Sequence, residues 1–202
     1  VPKESGMAST SDGSFIKDLK FFDLLLEQFR GQQGELPTAS AYLVQASTEY
    51  NRTRRANLIR IAKTKIKHAD ILGSILLQIS KGVSGPLSTR IDRNEFKEFL
   101  SFNGISTHKF SAGLSQLRLA PNSRQPIDSN QLSNNPKKYL TANIDTETKQ
   151  IIAYQRLVEL TDDANFISAL NYIQARQIQH RNDFIEMLRS LAGKDRSGGS
   201  DS

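Results

Sequence analysis

The chain has 202 residues, 37% of them hydrophobic and 24% charged, a composition ordinary for one globular domain with its own core. It contains no cysteine, which excludes disulfide frameworks, thiolate metal sites and thiol-based peroxide chemistry. A net charge of +6 and a pI near 9.6 permit contact with anionic surfaces without specifying one, and no apolar run approaches the roughly 18–20 residues of a membrane span, so the cytoplasm is the expected compartment.

Residues 1–14 are rich in Ser, Thr and Gly and predict a disordered N-terminal segment, in which residues 1–6 read as a cloning scar and Met7 as the native start. Phe21, Phe22, Leu24, Leu25, Leu26 and Phe29 then make a strongly apolar stretch that Gly31-Gln32-Gln33-Gly34 interrupts. Glu35, Tyr42 and Ala46 follow, with Pro37 tolerable in a first turn, so Phe15 to Thr48 reads either as two helices or as one kinked helix.

From about Arg54 to Lys81, Leu58, Ile61, Lys65, His68, Leu72, Ile75 and Ile79 recur at steps of three and four, one seam of a helix. Between Gly82 and Asn135 only Asp92 to Phe102 has a helical pattern, and the remaining Gly, Pro, Ser and Asn predict a long crossover between two helical hairpins. His108 falls there without an evident partner and is assigned to the surface. Leu140, Ile144, Glu147, Ile151, Tyr154 and Val158 form a second seam, in a helix starting at Pro136 behind Asn134 and Asn135 as caps. A third comprises Phe166, Leu170, Ile173, Gln177, His180, Phe184, Met187 and Leu191, behind Thr161, Asp162 and Asp163 as cap candidates. Residues 193–202 predict a disordered tail, and no strand pattern competes over the domain at 15–192.

Glu35 and His68 are 33 residues apart, Glu147 and His180 are 33 apart, and the second pair lies 112 residues after the first. Three residues before each histidine stands a polar residue, Lys65 and Gln177. These side chains fall on apolar seams, where a buried charge costs several kcal/mol unless it is satisfied, so they are expected to share one layer. Ferritin-like di-metal bundles build such a layer from a Glu on each of two helices and a Glu-x-x-His on each of the other two, because i and i+3 project to the same side. Here those positions read Glu35, Lys65-x-x-His68, Glu147 and Gln177-x-x-His180. The expected fold class is all-α, a ferritin-like four-helix bundle with a long central crossover.

The wording of the helices resembles one family. Leu24-Leu25-Leu26-Glu27-Gln28-Phe29, Gly34-Glu35-Leu36 and Tyr42-Leu43-Val44-Gln45 are similar to the first helical region of the manganese, non-haem catalases. Ala142-Asn143-Ile144 leading to Glu147, then Tyr154-Gln155-Arg156-Leu157 and Arg176-Gln177-Ile178-Gln179-His180, follow the same pattern in order. The resemblance covers roughly Phe21 to Leu188, with the crossover matching poorly. It implies that Glu35 and His68 match the ligands of one manganese, that Glu147 and His180 match those of the other, and that Lys65 stands at the bridging glutamate. It further implies that Gln177 replaces a supporting glutamate, that Tyr42 lies near the substrate approach, that the ancestral activity is hydrogen peroxide disproportionation, and that the chain forms a homo-oligomer, commonly a hexamer.

A protonated lysine has three donors and no lone pair, so it can neither bridge nor ligate two cations. With both glutamates ionised, Lys65 leaves the layer at −1, and one protonated histidine would close it without metal. The expectation is a degenerate site with no metal, or at most one weakly bound ion, in which Lys65 fills the space between Glu35 and Glu147 as a counter-ion. The role would then be structural or regulatory, for example assembly with an active catalase subunit. Two alternatives stand beside it: an active peroxide-degrading enzyme with an altered site, up to two manganese ions included, and an anion- or nucleic-acid-binding assembly. No residue is assigned a catalytic role; Tyr42, seven residues after Glu35 on the same face, is placed near the layer.

Seven basic residues and no acidic one occupy the segment from Arg52 to Lys67, namely Arg52, Arg54, Arg55, Arg60, Lys63, Lys65 and Lys67. Cations at a helix start oppose its dipole and invite an anionic partner. A solvated face balanced by another subunit's acids is favoured there over nucleic acid.

Overall fold

Residues 10–82, 130 and 133–197 are described by the computed structural model. Five helices are formed among them: α1 (Thr10–Arg30), α2 (Glu35–Thr48), α3 (Arg52–Lys81), α4 (Pro136–Leu160) and α5 (Ala164–Ser197). The helix expected at Asp92–Phe102, His108, residues 1–9 and residues 198–202 lie outside the described residues. Helical backbone reaches residues 10–14 and 193–197, which composition had assigned to disordered ends. Extending a formed helix adds a hydrogen bond per residue, whereas nucleation is the costly step.

The segment from Phe15 to Thr48 is two helices, and glycine is the reason for the break. Gly31 N donates to Glu27 O at 2.7 Å and Gly34 N to Gly31 O at 2.7 Å, which folds the chain tightly over the end of α1. A Cβ on Gly34 would lie 2.7 Å from the carbonyl oxygens of both Glu27 and Gln28, and one on Gly31 would collide with Glu27 O. Glu35 thereby becomes the first residue of α2, where the helix dipole favours a carboxylate.

The other helix ends follow from local chemistry. Asn51 Oδ1 accepts from Arg54 N at 3.0 Å at the start of α3, and Gly82, with φ 61°, ends that helix in the left-handed conformation. Asn135 Oδ1 accepts from Lys137 N at 3.0 Å beside the first-turn Pro136, and Asp163 Oδ1 accepts from Asn165 N and Phe166 N at 2.8 and 3.1 Å.

The most extensive packing joins α2 to α3 and α4 to α5, two helical hairpins. Side-chain bonds set them against each other. Glu35 meets Tyr154, Tyr42 meets Glu147, Gln45 meets Asn143 and Glu49 meets Tyr139, so α2 and α4 run antiparallel. Arg60 with Asp183, Lys65 with Gln177 and His68 beside Tyr172 show the same for α3 and α5. This is the all-α ferritin-like bundle, with α1 and α2 together filling the first helix position and the crossover joining α3 to α4.

Two apolar clusters fill the interior. One gathers Phe21, Leu25 and Phe29 of α1 with Leu72 and Leu76 of α3, Leu157 of α4 and Leu170 of α5. The other gathers Ala46 of α2, Leu58 and Ile61 of α3, Leu140 of α4 and Phe184 of α5. A polar layer containing Glu35, Lys65, His68, Glu147, Gln177 and His180 lies between them, every member 0% or 1% exposed. Among the described residues no helix is long and apolar enough to cross a membrane.

The α1–α2 break yields a test. Gly34→Ala is expected to lower the free energy of unfolding by about 1–3 kcal/mol, because its methyl group meets backbone that cannot yield. Urea unfolding followed by circular dichroism checks this; an unchanged midpoint would show that the chain can relax around the methyl group.

Candidate functional site

Four helices each bring polar side chains to the middle of the bundle. Glu35 comes from the first turn of α2, Lys65 and His68 from mid-α3, Glu147 from mid-α4, and Gln177 and His180 from mid-α5. On α3 and α5 the three-residue spacing puts both side chains on the inner face. The layer therefore unites all six positions that the sequence singles out as retained or substituted, and adds Tyr42, Gln150 and Tyr154.

Lys65 Nζ is the centre of it. It lies 2.9 Å from Glu147 Oε1 and 3.5 Å from Glu35 Oε2, and donates to Gln150 Oε1 at 2.6 Å and Gln177 Oε1 at 3.0 Å. The amine has two carboxylate and two amide oxygens around it, from α2, α4 and α5. Gln177 completes the link by donating from Nε2 to Glu35 Oε1 at 2.5 Å. Gln150 spans further, its Nε2 donating to the backbone oxygen of Gln33 at 2.5 Å, which ties the α1–α2 break to the layer.

Each carboxylate also accepts from a tyrosine. Tyr154 Oη donates to Glu35 Oε1 and Tyr42 Oη to Glu147 Oε1, both at 2.6 Å. The two contacts mirror each other, since Tyr154 lies 112 residues after Tyr42 as Glu147 lies 112 after Glu35. Each histidine faces one of the carboxylates. His68 Nδ1 is 3.4 Å from Glu35 Oε2, His180 Nδ1 is 3.5 Å from Glu147 Oε2, and the two rings stack at a centroid distance of 5.9 Å. Among the described residues, both ring nitrogens of His68, together with Glu147 Oε2, have no hydrogen-bond partner.

The electrostatics follow from burial set against the central cation. Burial alone would raise the Glu35 carboxyl, but Lys65, then His68 and the Tyr154 hydroxyl, more than reverse this and hold it at about 2, against an ordinary 4.5. For Glu147 burial again pulls upward, and Lys65, His180 and Tyr42 bring it below the ordinary value. Burial first and the neighbouring carboxylates second push Tyr42 and Tyr154 well above the usual phenol range, so both remain donors. Burial lowers His180, and Glu147 restores part of the loss. Both carboxylates are thus ionised and both tyrosines neutral at pH 7.

Two participants lay outside the site read from sequence. Gln150 is three residues after Glu147, so helical spacing alone put it on the same face. Tyr154 sits on the α4 seam, and the 112-residue offset from Tyr42 was the signal that it shares that residue's role.

The basic segment divides. Arg54 Nε and Nη2 donate to the buried Glu49 at 2.8 and 2.9 Å, with Tyr139 Oη on the same carboxylate, and Arg60 Nη2 donates to Asp183 at 2.6 Å. These two arginines are balanced by acids of their own chain rather than by another subunit. Arg52, Arg55, Lys63 and Lys67 are exposed on the surface of α3.

Comparisons with known proteins bear on family and on fold. The family model for manganese containing catalase matches residues 17–198. Among solved structures, wild-type KatB, a manganese catalase from Anabaena, is similar at 23% identity with a TM-score of 0.61, over 95% of this chain and 78% of that one. A second structure, KatB from Anabaena PCC7120, is similar at 23% identity with a TM-score of 0.58, over 95% of this chain and 80% of the other. No curated protein matches the sequence. The structural likeness at this identity establishes a shared fold, and the family model, spanning the whole bundle and its polar layer, establishes descent: the chain belongs to the manganese-containing catalase family.

Proposed function

We propose that this protein is a diverged catalase-family member in which a lysine-centred salt bridge replaces the two metals, so that it does not disproportionate hydrogen peroxide and serves a structural or regulatory role. The observation that carries the proposal is the position of Lys65 Nζ, 2.9 Å from Glu147 and 3.5 Å from Glu35. A pair of manganese ions needs an anionic bridge to offset their repulsion. At the bridging position this chain offers an ammonium, which repels cations and has no lone pair to give them. The residues present therefore do not fit a carboxylate-bridged pair, and no step of peroxide chemistry is routed through one.

Gln177 supports the same reading. Its amide accepts from Lys65 and donates to Glu35, so both ends are used without adding charge. The role that remains is assembly, as a homo-oligomer or beside an active catalase subunit.

A second reading has one specific observation in its favour. Among the described residues, both ring nitrogens of His68 and Glu147 Oε2 are buried without hydrogen-bond partners, and each histidine faces a glutamate at 3.4–3.5 Å. One metal ion held by Glu147 and His180, or by Glu35 and His68, would use them. Two protein ligands on a side make a weak site.

Elemental analysis of protein purified from manganese- and iron-supplemented cells separates these readings. Well under one metal per chain and no oxygen release from peroxide above buffer are expected; about two manganese per chain with oxygen release would overturn the proposal. Lys65→Glu combined with Gln177→Glu is expected to gain manganese, detected by elemental analysis and by the electron paramagnetic resonance signal of bound manganese. Failure of that folded variant to take up metal would show that the rest of the cage has also been lost.

Removing the cation should invert the dependence of stability on pH. In the parent chain Glu35, held at about 2 instead of 4.5, contributes stability that is present above 4.5 and lost as pH falls toward 2. His180, also lowered, acts in the same direction below its ordinary 6.5. In Lys65→Met two buried carboxylates lack their counter-ion, burial raises them, and the cost grows as pH rises. A loss of about 3–5 kcal/mol is expected at pH 7, with Tm rising as the buffer is acidified from pH 8 to 5. A variant with the parent's pH profile would show that Lys65 does not set the charge state of the layer.

A further inference from the structure

Tyr50 is 97% exposed, yet it sits on a connection fixed at both ends. Glu49, on one side, is buried and bonded to Arg54 and Tyr139, and its Oε1 also accepts from Asn51 N at 2.7 Å. Asn51, on the other, caps α3. The ring is therefore presented to solvent by a rigid backbone, at a cost in apolar exposure that packing does not repay.

The surroundings of Tyr50 are cationic. Arg52 and Arg55 follow it in the first turn of α3. The bond from Tyr139 to Glu49 brings the first turn of α4 alongside, with Lys137 and Lys138 exposed there. Among the described residues none of these four cations has an ion-pair partner, and two helix N-termini, which disfavour cations, converge on them. Lys63 and Lys67 extend the charge along a shallow groove on α3, so that cations line roughly 22 Å of helix from Arg52 to Lys67. The one acid nearest Tyr50 in sequence, Glu49, is buried and already neutralised by Arg54.

We propose that this end of the bundle binds single-stranded nucleic acid, with Tyr50 stacking on a base and Arg52, Arg55, Lys137 and Lys138 contacting phosphates. An aromatic ring beside a track of unpaired cations is the combination that sequence-tolerant strand binding uses. The balance between readings shifts from that drawn on sequence because Arg54, Arg60 and Lys65 are satisfied within the chain, while Arg52, Arg55, Lys63 and Lys67 are joined by Tyr50 and by the two lysines of α4. A second copy of the chain or an acidic protein surface would cover the same ring and cations, and a failure to bind oligo-dT is the outcome that favours it. The site lies at one end of the bundle, away from the buried layer, so it is independent of the fate of the metals.

The test is fluorescence anisotropy of a labelled 20-nucleotide oligo-dT titrated with the full chain at several salt concentrations. Binding is expected to weaken with salt with a log–log slope of about −3, from four phosphate contacts at about 0.7 each. Tyr50→Ala is expected to weaken binding about tenfold or more while Tyr50→Phe keeps it. The combination Arg52→Gln with Lys138→Gln is expected to lower the slope by about 1.4, two contacts' worth, whereas Lys20→Gln with Arg156→Gln, on other faces, leaves it unchanged. All variants are checked for the parent's circular dichroism and Tm. No saturable binding at 50 mM salt, equal losses from patch and control variants, or a Tyr50→Ala variant that binds like the parent would each overturn the proposal.

Discussion

A single ammonium group is the constraint on which the interior depends. Lys65 reaches Nζ into a layer where two glutamates are fully buried, and desolvating two carboxylates in one core is sustainable only with a cation between them. Its ion pairs and hydrogen bonds together draw on oxygens from three other helices, so the amine also fixes how those helices sit. Everything around it has a matching polarity: tyrosines kept neutral as donors, amides that bond at both ends, and a histidine facing each carboxylate. Such a layer adds little net stability compared with an apolar core, and its value lies in register, since any helix shift would leave a buried charge alone.

The layer preserves an internal two-fold relation while breaking it at one pair. Glu35, Tyr42 and His68 recur 112 residues later as Glu147, Tyr154 and His180. The corresponding positions Lys65 and Gln177 differ, and they touch each other at 3.0 Å. That contact is intelligible on charge grounds. One cation reaches both carboxylates, and the amide at the matching position links that cation to Glu35 without adding charge. The family resemblance implies glutamate at both positions, and under the proposed function the two substitutions together turn a layer that attracts cations into one that supplies its own.

The periodicity of apolar residues made α3, α4 and α5 legible, along with their caps at Asn135 and Asp163, because those signals are local. It also placed Lys65 and both histidines in the core before any geometry was known. The α1–α2 region stayed ambiguous because the pattern Gly31-Gln32-Gln33-Gly34 permits either a kink or a break. The decision came from carbonyls of Glu27 and Gln28 that leave no room for a Cβ. Gln150 is a different case: helical spacing puts it on the face of Glu147, but an isolated glutamine carries no chemical signature, and its bonds to Lys65 and Gln33 reveal its function. Pairings such as Arg60 with Asp183 join residues far apart in the chain, and nothing in the sequence specifies them.

The central claim is that a nitrogen atom stands where related enzymes carry metals. The most direct measurement is a crystal structure of protein grown with added manganese, with diffraction collected on both sides of the manganese absorption edge. A well-ordered Lys65 side chain within hydrogen-bonding reach of Glu147, Gln150 and Gln177, with no anomalous peak among the polar residues, is the predicted result. An anomalous peak between Glu35 and Glu147, with the lysine turned away from it, would contradict the claim.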